Sequence, residues 1–362
     1  MRASKIYSSF LKICILTTFM LLVWRLNVAL HGRERNLARL HYHFEEHNEV
    51  LNKTSFLHIY TYTDRLQKEE CASFQTALIK NLNLNVLVGR QSNEGTDAKK
   101  LRKIPVTLDA FDHIHIPSNH IIMFCDASDV VYTESANKII DAFEKVEKQY
   151  KKNKNLPVVI FGAERNCWPF MHNDIELIKN GRLWCEKIYP SSNTSFRWLN
   201  SGQFITRVGV MKNLLNDAFA LLESGIGDDQ LAYQWMFLSQ YATKNRLKGE
   251  HLSLPVSKKG LDIGVKYSIV LDTSCEIFQT GYMTNIGDSS DGGLNMKDVY
   301  FNITEGKLQN LETNTSPAVV HFNGGKKNFL RVAYAALESN LKRSEQGEKE
   351  LNWFRSCKNV LN

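Results

Sequence analysis

Five apolar residues in a row, Ile121-Ile122-Met123-Phe124-Cys125, run straight into Asp126-Ala127-Ser128-Asp129. A run without polar alternation is the pattern of a strand buried on both faces, as in a parallel sheet covered by helices. Its neighbours fit the same plan. Phe56 to Tyr60 and Leu84 to Val88 read as strands, with a helix between them over Leu66 to Ile79 and a polar loop from Arg90 to Lys100. Glu134 to Tyr150 places Ile139, Phe143, Val146 and Tyr150 on one stripe of a helix. Val158-Val159-Ile160-Phe161-Gly162 is a further buried strand. Strands alternating with helices predict an α/β fold with a mostly parallel sheet and right-handed crossovers. In such sheets ligands bind beyond the carboxyl ends of the strands, where Asp126 and Asp129 stand.

The chain has 362 residues, 43% of them hydrophobic and 23% charged, compatible with one large α/β domain or two small ones and unlike a disordered chain. Its net charge of +7 invites a nucleic-acid reading. The 45 basic residues are mixed with 38 acidic ones, and the densest basic run, Lys145 to Lys154, follows a helical pattern. No nucleic-acid partner is therefore expected.

Residues 1–30 differ from the rest. Arg2, Lys5 and Lys12 precede the apolar run Ile13 to Trp24, and Arg25 interrupts it before Leu26 to Leu30. This charged-then-apolar layout is that of a secretory signal. No small-residue cleavage site follows, which favours an uncleaved anchor over a cleaved signal. The run is short against the ~20 residues that span a bilayer, although Lys12 and Arg25 can snorkel. Arg33 and Arg35 on the far side leave the orientation weakly specified. Four sequons, at Asn52, Asn193, Asn302 and Asn314, agree with a lumenal chain. The expected layout is a signal anchor over 1–30, a polar stem over 31–54, one catalytic domain over 55–335 and a helical tail over 336–362. The expected location is a Golgi or endoplasmic reticulum membrane, single-pass type II, with the domain in the lumen. Cys14 lies in the apolar segment, and the other six cysteines allow fifteen pairings. Cys167 and Cys185 flank a loop and are expected to be bridged; Cys125, inside a strand, is expected to stay a free thiol.

Asp126 and Asp129, three apart on a turn, can reach one divalent cation, and hard oxygen ligands suit Mg²⁺ or Mn²⁺ with phosphates. The plain alternative is a turn or helix-cap carboxylate pair. Asp228-Asp229-Gln230 opens a helix over Gln230 to Leu238, where the acids also suit the helix dipole. Val319 to Lys327 ends a strand in His321-Phe322-Asn323-Gly324-Gly325-Lys326-Lys327. A histidine followed by glycines and lysines offers a metal ligand and a phosphate contact together.

In order along the chain, IIMFCDASDVV, FGAERNCWP, YP…FRWLNSGQFI, DDQLAYQWMFL, LDTSCEIFQT and VVHFNGG closely resemble the glycosyltransferase domain of procollagen lysyl hydroxylase–glycosyltransferases. The resemblance spans roughly residues 55 to 330. It implies a GT-A, Rossmann-like fold, a UDP-sugar donor, Mn²⁺ and a protein or glycan acceptor, collagen-type hydroxylysine being the family's own. It carries metal ligation onto Asp126, Asp129 and His321. Thr61, Thr63 and Lys103 would stand on the donor side, and Asn323, Gly324 and Lys327 at the diphosphate. Glu164, Trp168, Asn200, Asp228 and Asp229 would surround the sugar and acceptor, with Asp229 the first candidate base. Two departures stand out. Ser128 occupies the place of a family tyrosine that can stack on uracil, and the chain stops at Asn362 with no hydroxylase domain, so lysine hydroxylation is not expected. A lumenal binding or scaffold protein on the same fold, and a metal-dependent phosphohydrolase, are the competing readings. Metal titration separates the scaffold, and the phosphohydrolase lacks an evident second-metal cluster.

Overall fold

In the computed structural model the described residues are 56–63, 70–89, 96–154, 156–169, 189–245, 266–282, 299–302 and 307–324. All fall within one compact unit, Asn52–Asn362; the other unit, Met1–Leu51, lies outside them. The expected anchor, stem and C-terminal tail, and Cys185, Lys326 and Lys327, are likewise outside the described residues. Among the described residues no helix is long and apolar enough to cross a membrane.

In chain order the elements begin with β1 (Leu57–Thr63), α1 (Glu70–Ile79), β2 (Leu84–Val88), α2 (Thr96–His113), β3 (Ile121–Asp126), β4 (Val130–Tyr132), α3 (Ala136–Lys154) and β5 (Val158–Glu164). They continue with β6 (Trp198–Arg207), α4 (Val208–Glu223), α5 (Asp229–Asn245), β7 (Ser268–Asp272), β8 (Phe278–Thr280), β9 (Val299–Asn302), β10 (Lys307–Asn310) and β11 (Val319–His321). The main sheet has the order β2-β1-β3-β6-β5-β7. β1 runs parallel to β2 and β3, and β5 parallel to β7, while β6 is antiparallel to both of its neighbours. The sheet is thus mostly parallel, as expected, with β6 alone reversed.

Two segments differ from the sequence reading. Residues 96–100, expected in a loop, open helix α2, which continues through Pro105. Their run of polar and charged residues carries no apolar stripe, and an internal proline argues against a helix, so the pattern hides it. Leu199-Asn200-Ser201-Gly202-Gln203-Phe204 reads in the sequence as a polar turn joined to an apolar run, yet it lies inside strand β6, all of which but the last residue is buried. Asn200, Ser201 and Gly202 are polar or small because they wall a cavity rather than because the chain turns there.

The core explains why these strands align. Phe204 of β6 faces Phe124 on one side and Phe161 on the other, directly beside a bulge at which the register moves to Gly162 opposite Asn200. The Phe124–Phe204 and Phe161–Phe204 rings stack with centroids 5.4 and 4.9 Å apart. Tyr233 of α5 closes the row from above, 5.0 Å from Phe161. Such pairs add about 0.5–1.5 kcal/mol each beyond the area they bury. On the other face Cys125 is buried and free, as expected. Cys167 is disulfide-bonded, but with Cys185 outside the described residues the pairing of these two stays an expectation.

A second sheet, β4-β11-β8, stands at the carboxyl end of the first. Each strand has three residues, too few for a sequence period. β11 is antiparallel to β4 and parallel to β8, which sets His321 opposite Val130 and Thr280. The Phe322 amide donates to the Asp129 carbonyl at 2.7 Å. This pairing delivers His321 to the turn that follows β3.

Candidate active site

Asp126 ends β3, and Asp129 immediately precedes β4. His321 Nε2 lies 3.5 Å from Asp126 Oδ2 and 3.3 Å from Asp129 Oδ1. One donor atom from each residue lies within 4.8 Å of the others. Asp129 and His321 are buried, while Asp126 is partly open. His321 Nδ1 is 3.2 Å from Asn200 Oδ1, a contact that turns Nε2 toward the carboxylates. The Gly202 amide donates to the same Asn200 oxygen at 3.0 Å. Two carboxylates and an oriented imidazole are a donor set that fits one divalent cation. Burial depresses the imidazole's proton affinity, but Asp129 first and Asp126 second outweigh it and hold His321 above its ordinary value.

Lys103 of α2 reaches the same place from the other side. Its Nζ is 2.8 Å from Asp126 Oδ1 and 2.8 Å from Asp229 Oδ2. Only 13% of its side chain is exposed. Burial alone would lower its affinity for a proton, yet the Asp126 and Asp229 charges raise it above the usual lysine value. Asp229, in the first turn of α5, also accepts from Ser201 Oγ at 3.2 Å. Asp228 Oδ1 accepts from the Leu231 amide at 3.2 Å, the capping role its position suggests.

Glu164, the last residue of β5, is buried. Its Oε1 accepts from Gln230 Nε2 at 2.8 Å and its Oε2 from Asn323 Nδ2 at 2.9 Å. Burial pushes its carboxyl up to about 7, against the lowering effect of those bonds. Asn323 Oδ1 accepts from the Gly281 and Tyr282 amides at 3.1 and 2.9 Å, which ties the loop after β8 to the loop after β11. Gly324 has φ +64, and a side chain there would run into the Tyr282 ring. Trp168 is 46% exposed at the rim, and its carbonyl accepts from Gln234 Nε2 at 2.8 Å and also from Gln230 Nε2.

These groups surround a cavity of about 520 Å³. Of the expected residues, Lys103, Asp126, Asp129, Glu164, Trp168 and Asn200 line it, as do Asp228, Asp229, His321, Asn323 and Gly324. Thr61 and Thr63 do not. Both are buried in β1, and the Thr63 hydroxyl donates to Glu70 at 3.0 Å. Lys327 is outside the described residues. Gln230 and Ser201 were not singled out in the sequence, although both sit inside quoted motifs. The only available signal was their position beside Asp229 and Asn200, because a lone glutamine or serine has no distinctive pattern.

The model of the PLOD GT domain matches residues 67–253, just over half of the chain. The chain belongs to the PLOD GT domain family. This glycosyltransferase-type domain is similar to part of the procollagen-lysine,2-oxoglutarate 5-dioxygenase of Drosophila melanogaster, 29% identical over 211 residues, 57% of this chain and 22% of that protein. It is also similar to the multifunctional procollagen lysine hydroxylase and glycosyltransferase of Caenorhabditis elegans, 27% identical over 263 residues, 71% of this chain and 29% of that one. The chain therefore spans less than a third of the length of these two relatives. Among solved structures, a glycosyltransferase involved in the glycosylation of the major capsid of PBCV-1 aligns at 11% identity, covering 77% of this chain and 98% of its own, with a TM-score of 0.40.

Proposed function

We propose that this PLOD GT domain is a metal-dependent glycosyltransferase that moves a sugar from a UDP-sugar to a hydroxyl of a protein or glycan acceptor. The observation that carries the proposal is the convergence on one cavity of Asp126 from the end of β3, Asp129 from the turn after it and His321 from β11. A divalent ion such as Mn²⁺ held by these three residues would supply charge stabilisation for the departing UDP. Asn200 keeps the His321 ring turned so that Nε2 faces that ion. Asp229, anchored by Lys103 and Ser201, is held to meet a hydroxyl of the sugar or acceptor. Glu164, with its carboxyl near 7, keeps Gln230 and Asn323 in place beneath the Trp168 loop. Trp168, exposed at the rim, is placed to cover a bound sugar and exclude water, which suppresses donor hydrolysis. The acceptor class follows the relatives' printed names: a lysine-derived hydroxyl of a collagen-like protein. The compartment we propose is the lumen of the Golgi or endoplasmic reticulum, with residues 1–30 as a type II membrane anchor.

The test is a panel of UDP-sugars with purified protein. Chelation by EDTA should abolish donor turnover, and Mn²⁺ should restore it; full activity in EDTA sinks the metal reading. Asp129→Asn should lose at least ~10²-fold in rate and also bind UDP poorly with Mn²⁺. Asp229→Asn should bind UDP with Mn²⁺ within a few-fold of wild type yet lose at least ~10²-fold in transfer, the scale of a general base. If Asp229→Asn transfers sugar at the wild-type rate, that carboxylate is only a helix N-terminal charge.

A further inference from the structure

Lys103 enters the sequence reading as a donor contact, but both of its close partners in the structure are carboxylates. One ammonium holds Asp126 Oδ1 and Asp229 Oδ2, each at 2.8 Å. The two oxygens of Asp126 are thereby divided, for Oδ2 points the other way and lies 3.5 Å from His321 Nε2. The backbone of Gly202 presses on the same side, since an added Cβ there would meet Asp126 Oδ2 at 2.8 Å and His321 Nδ1 at 2.6 Å. Asp126 thus has one oxygen on each side of a boundary, with a fixed cation behind it and the candidate ion site in front.

We propose that Lys103 is a resident counter-cation that splits Asp126 between two tasks, leaving a single oxygen for the divalent ion and holding that ion's affinity below what the bare carboxylates would provide. The inference rests on the reading that Asp126, Asp129 and His321 take such an ion. Its physical basis is charge. Asp126, Asp129 and Asp229 bring three carboxylates to this corner, and Lys103 is nearly buried among them, where screening by water is weak. A positive charge behind one ligand opposes a second positive charge in front of it. The same ammonium fixes Asp229, so the ion side and the hydroxyl-binding side are coupled through one residue. The benefit to an enzyme is release: a product diphosphate leaves more readily with an ion that is not held too tightly. Lys103 acts through Asp126 and Asp229 and is therefore a positioning residue.

A residue that merely supports a metal ligand can only weaken binding when it is lost. Loss of Lys103 should tighten it. Mn²⁺ affinity would be measured by titration calorimetry on the full chain without nucleotide, for wild type, K103M, K103Q and K103R. K103Q keeps a donor for both carboxylates and serves if K103M does not fold, as judged by circular dichroism. The expected result is Mn²⁺ binding at least about tenfold tighter in K103M and K103Q, with K103R within about threefold of wild type. Transfer should fall at least ~10²-fold in K103M and recover in part in K103R. If wild type takes up Mn²⁺ and the folded K103 variants bind it equally or more weakly, the inference is overturned while the metal reading stands. If wild type takes up no Mn²⁺, the metal reading itself falls, and this inference with it.

Discussion

At position 202 one methyl group is enough to disturb the site. An alanine Cβ would stand 2.6 Å from His321 Nδ1 and 2.8 Å from Asp126 Oδ2, closer than real Cβ atoms come. The neighbours are not flexible tips in open solvent, because His321 is buried between Asn200 and the carboxylates. Gly202→Ala should therefore move two proposed ligands while leaving the sheet hydrogen bonds of β6 intact. Mn²⁺ binding at least ~10-fold weaker than wild type, with the unfolding midpoint lowered by only a few degrees, is the expected outcome. Unchanged Mn²⁺ affinity would mean that His321 or Asp126 is not a ligand. Asp126, Asp129 and His321 stand out because acids and histidines at strand ends carry chemistry. Gly202 looks like any glycine in a polar stretch until the ring of His321 is placed over it.

At the scale of elements, the short second sheet depends on one buried carboxylate. Asp272, at the end of β7, accepts from the amides of Ile277 and Phe278 at 2.7 and 2.8 Å, from Glu276 at 3.1 Å, and from Ser274 Oγ at 3.2 Å. Burial raises its carboxyl above the ordinary value, and those bonds oppose the shift. The turn it closes passes through Cys275 at φ +54, a left-handed conformation that a non-glycine residue adopts only when held there. Directly after the turn comes β8, which pairs with β11 and so helps to place His321. Asp272→Ala would leave buried amides without an acceptor, at a cost of roughly 1–3 kcal/mol. Urea unfolding should show that loss, and the folded fraction should bind Mn²⁺ more weakly; an unaltered urea midpoint would show that other groups close the turn. Long elements were legible in the sequence because they repeat. β3 and β5 are unbroken apolar runs and α3 has a clear stripe. The strand ending at His321 was also legible, whereas β4 and β8, three residues each, become strands only by pairing with β11.

Across the whole molecule, two buried groups give stability opposite dependences on pH. Glu164 has its carboxyl raised from 4.5 to about 7, so the folded chain keeps a proton that the unfolded chain gives up. Its contribution is full below about 4.5 and is lost as pH rises toward 7. His58, at the opposite end of the sheet, is lowered from 6.5 to about 4, by burial first and by His120 second. Its Nε2 lies 3.0 Å from His120 Nδ1, which leaves little room for two charges. Its contribution is present above about 6.5 and is lost as pH falls toward 4. The two effects overlap and offset one another between these limits. Single substitutions should separate them. Relative to wild type, Glu164→Gln should lose less stability as pH rises from about 4.5 to 7, and His58→Gln should lose less as pH falls from about 6.5 to 4. Urea midpoints measured from pH 4 to 8 in EDTA would check both; curves parallel to wild type would show that neither group titrates differently on folding.

Patterns local in the chain were enough to establish the α/β class, the buried central strand, the free thiol at Cys125 and the candidate carboxylates and histidine. Each follows from a period, a run or a residue type that needs no distant partner to be recognised. The reversed strand β6, the helix at residues 96–100 and the cavity were decided by tertiary structure. So was the absence of Thr61 and Thr63 from the cavity wall. A reversed strand is selected by which neighbours it bonds to, not by its own pattern. Helix α2 survives an internal proline because its apolar residues pack on α4 and the sheet. Lys103 illustrates the division most clearly. In the chain it is one of several lysines in a polar stretch, and only the fold sets it between the partly open Asp126 and the buried Asp229, whose carboxylates share its one ammonium.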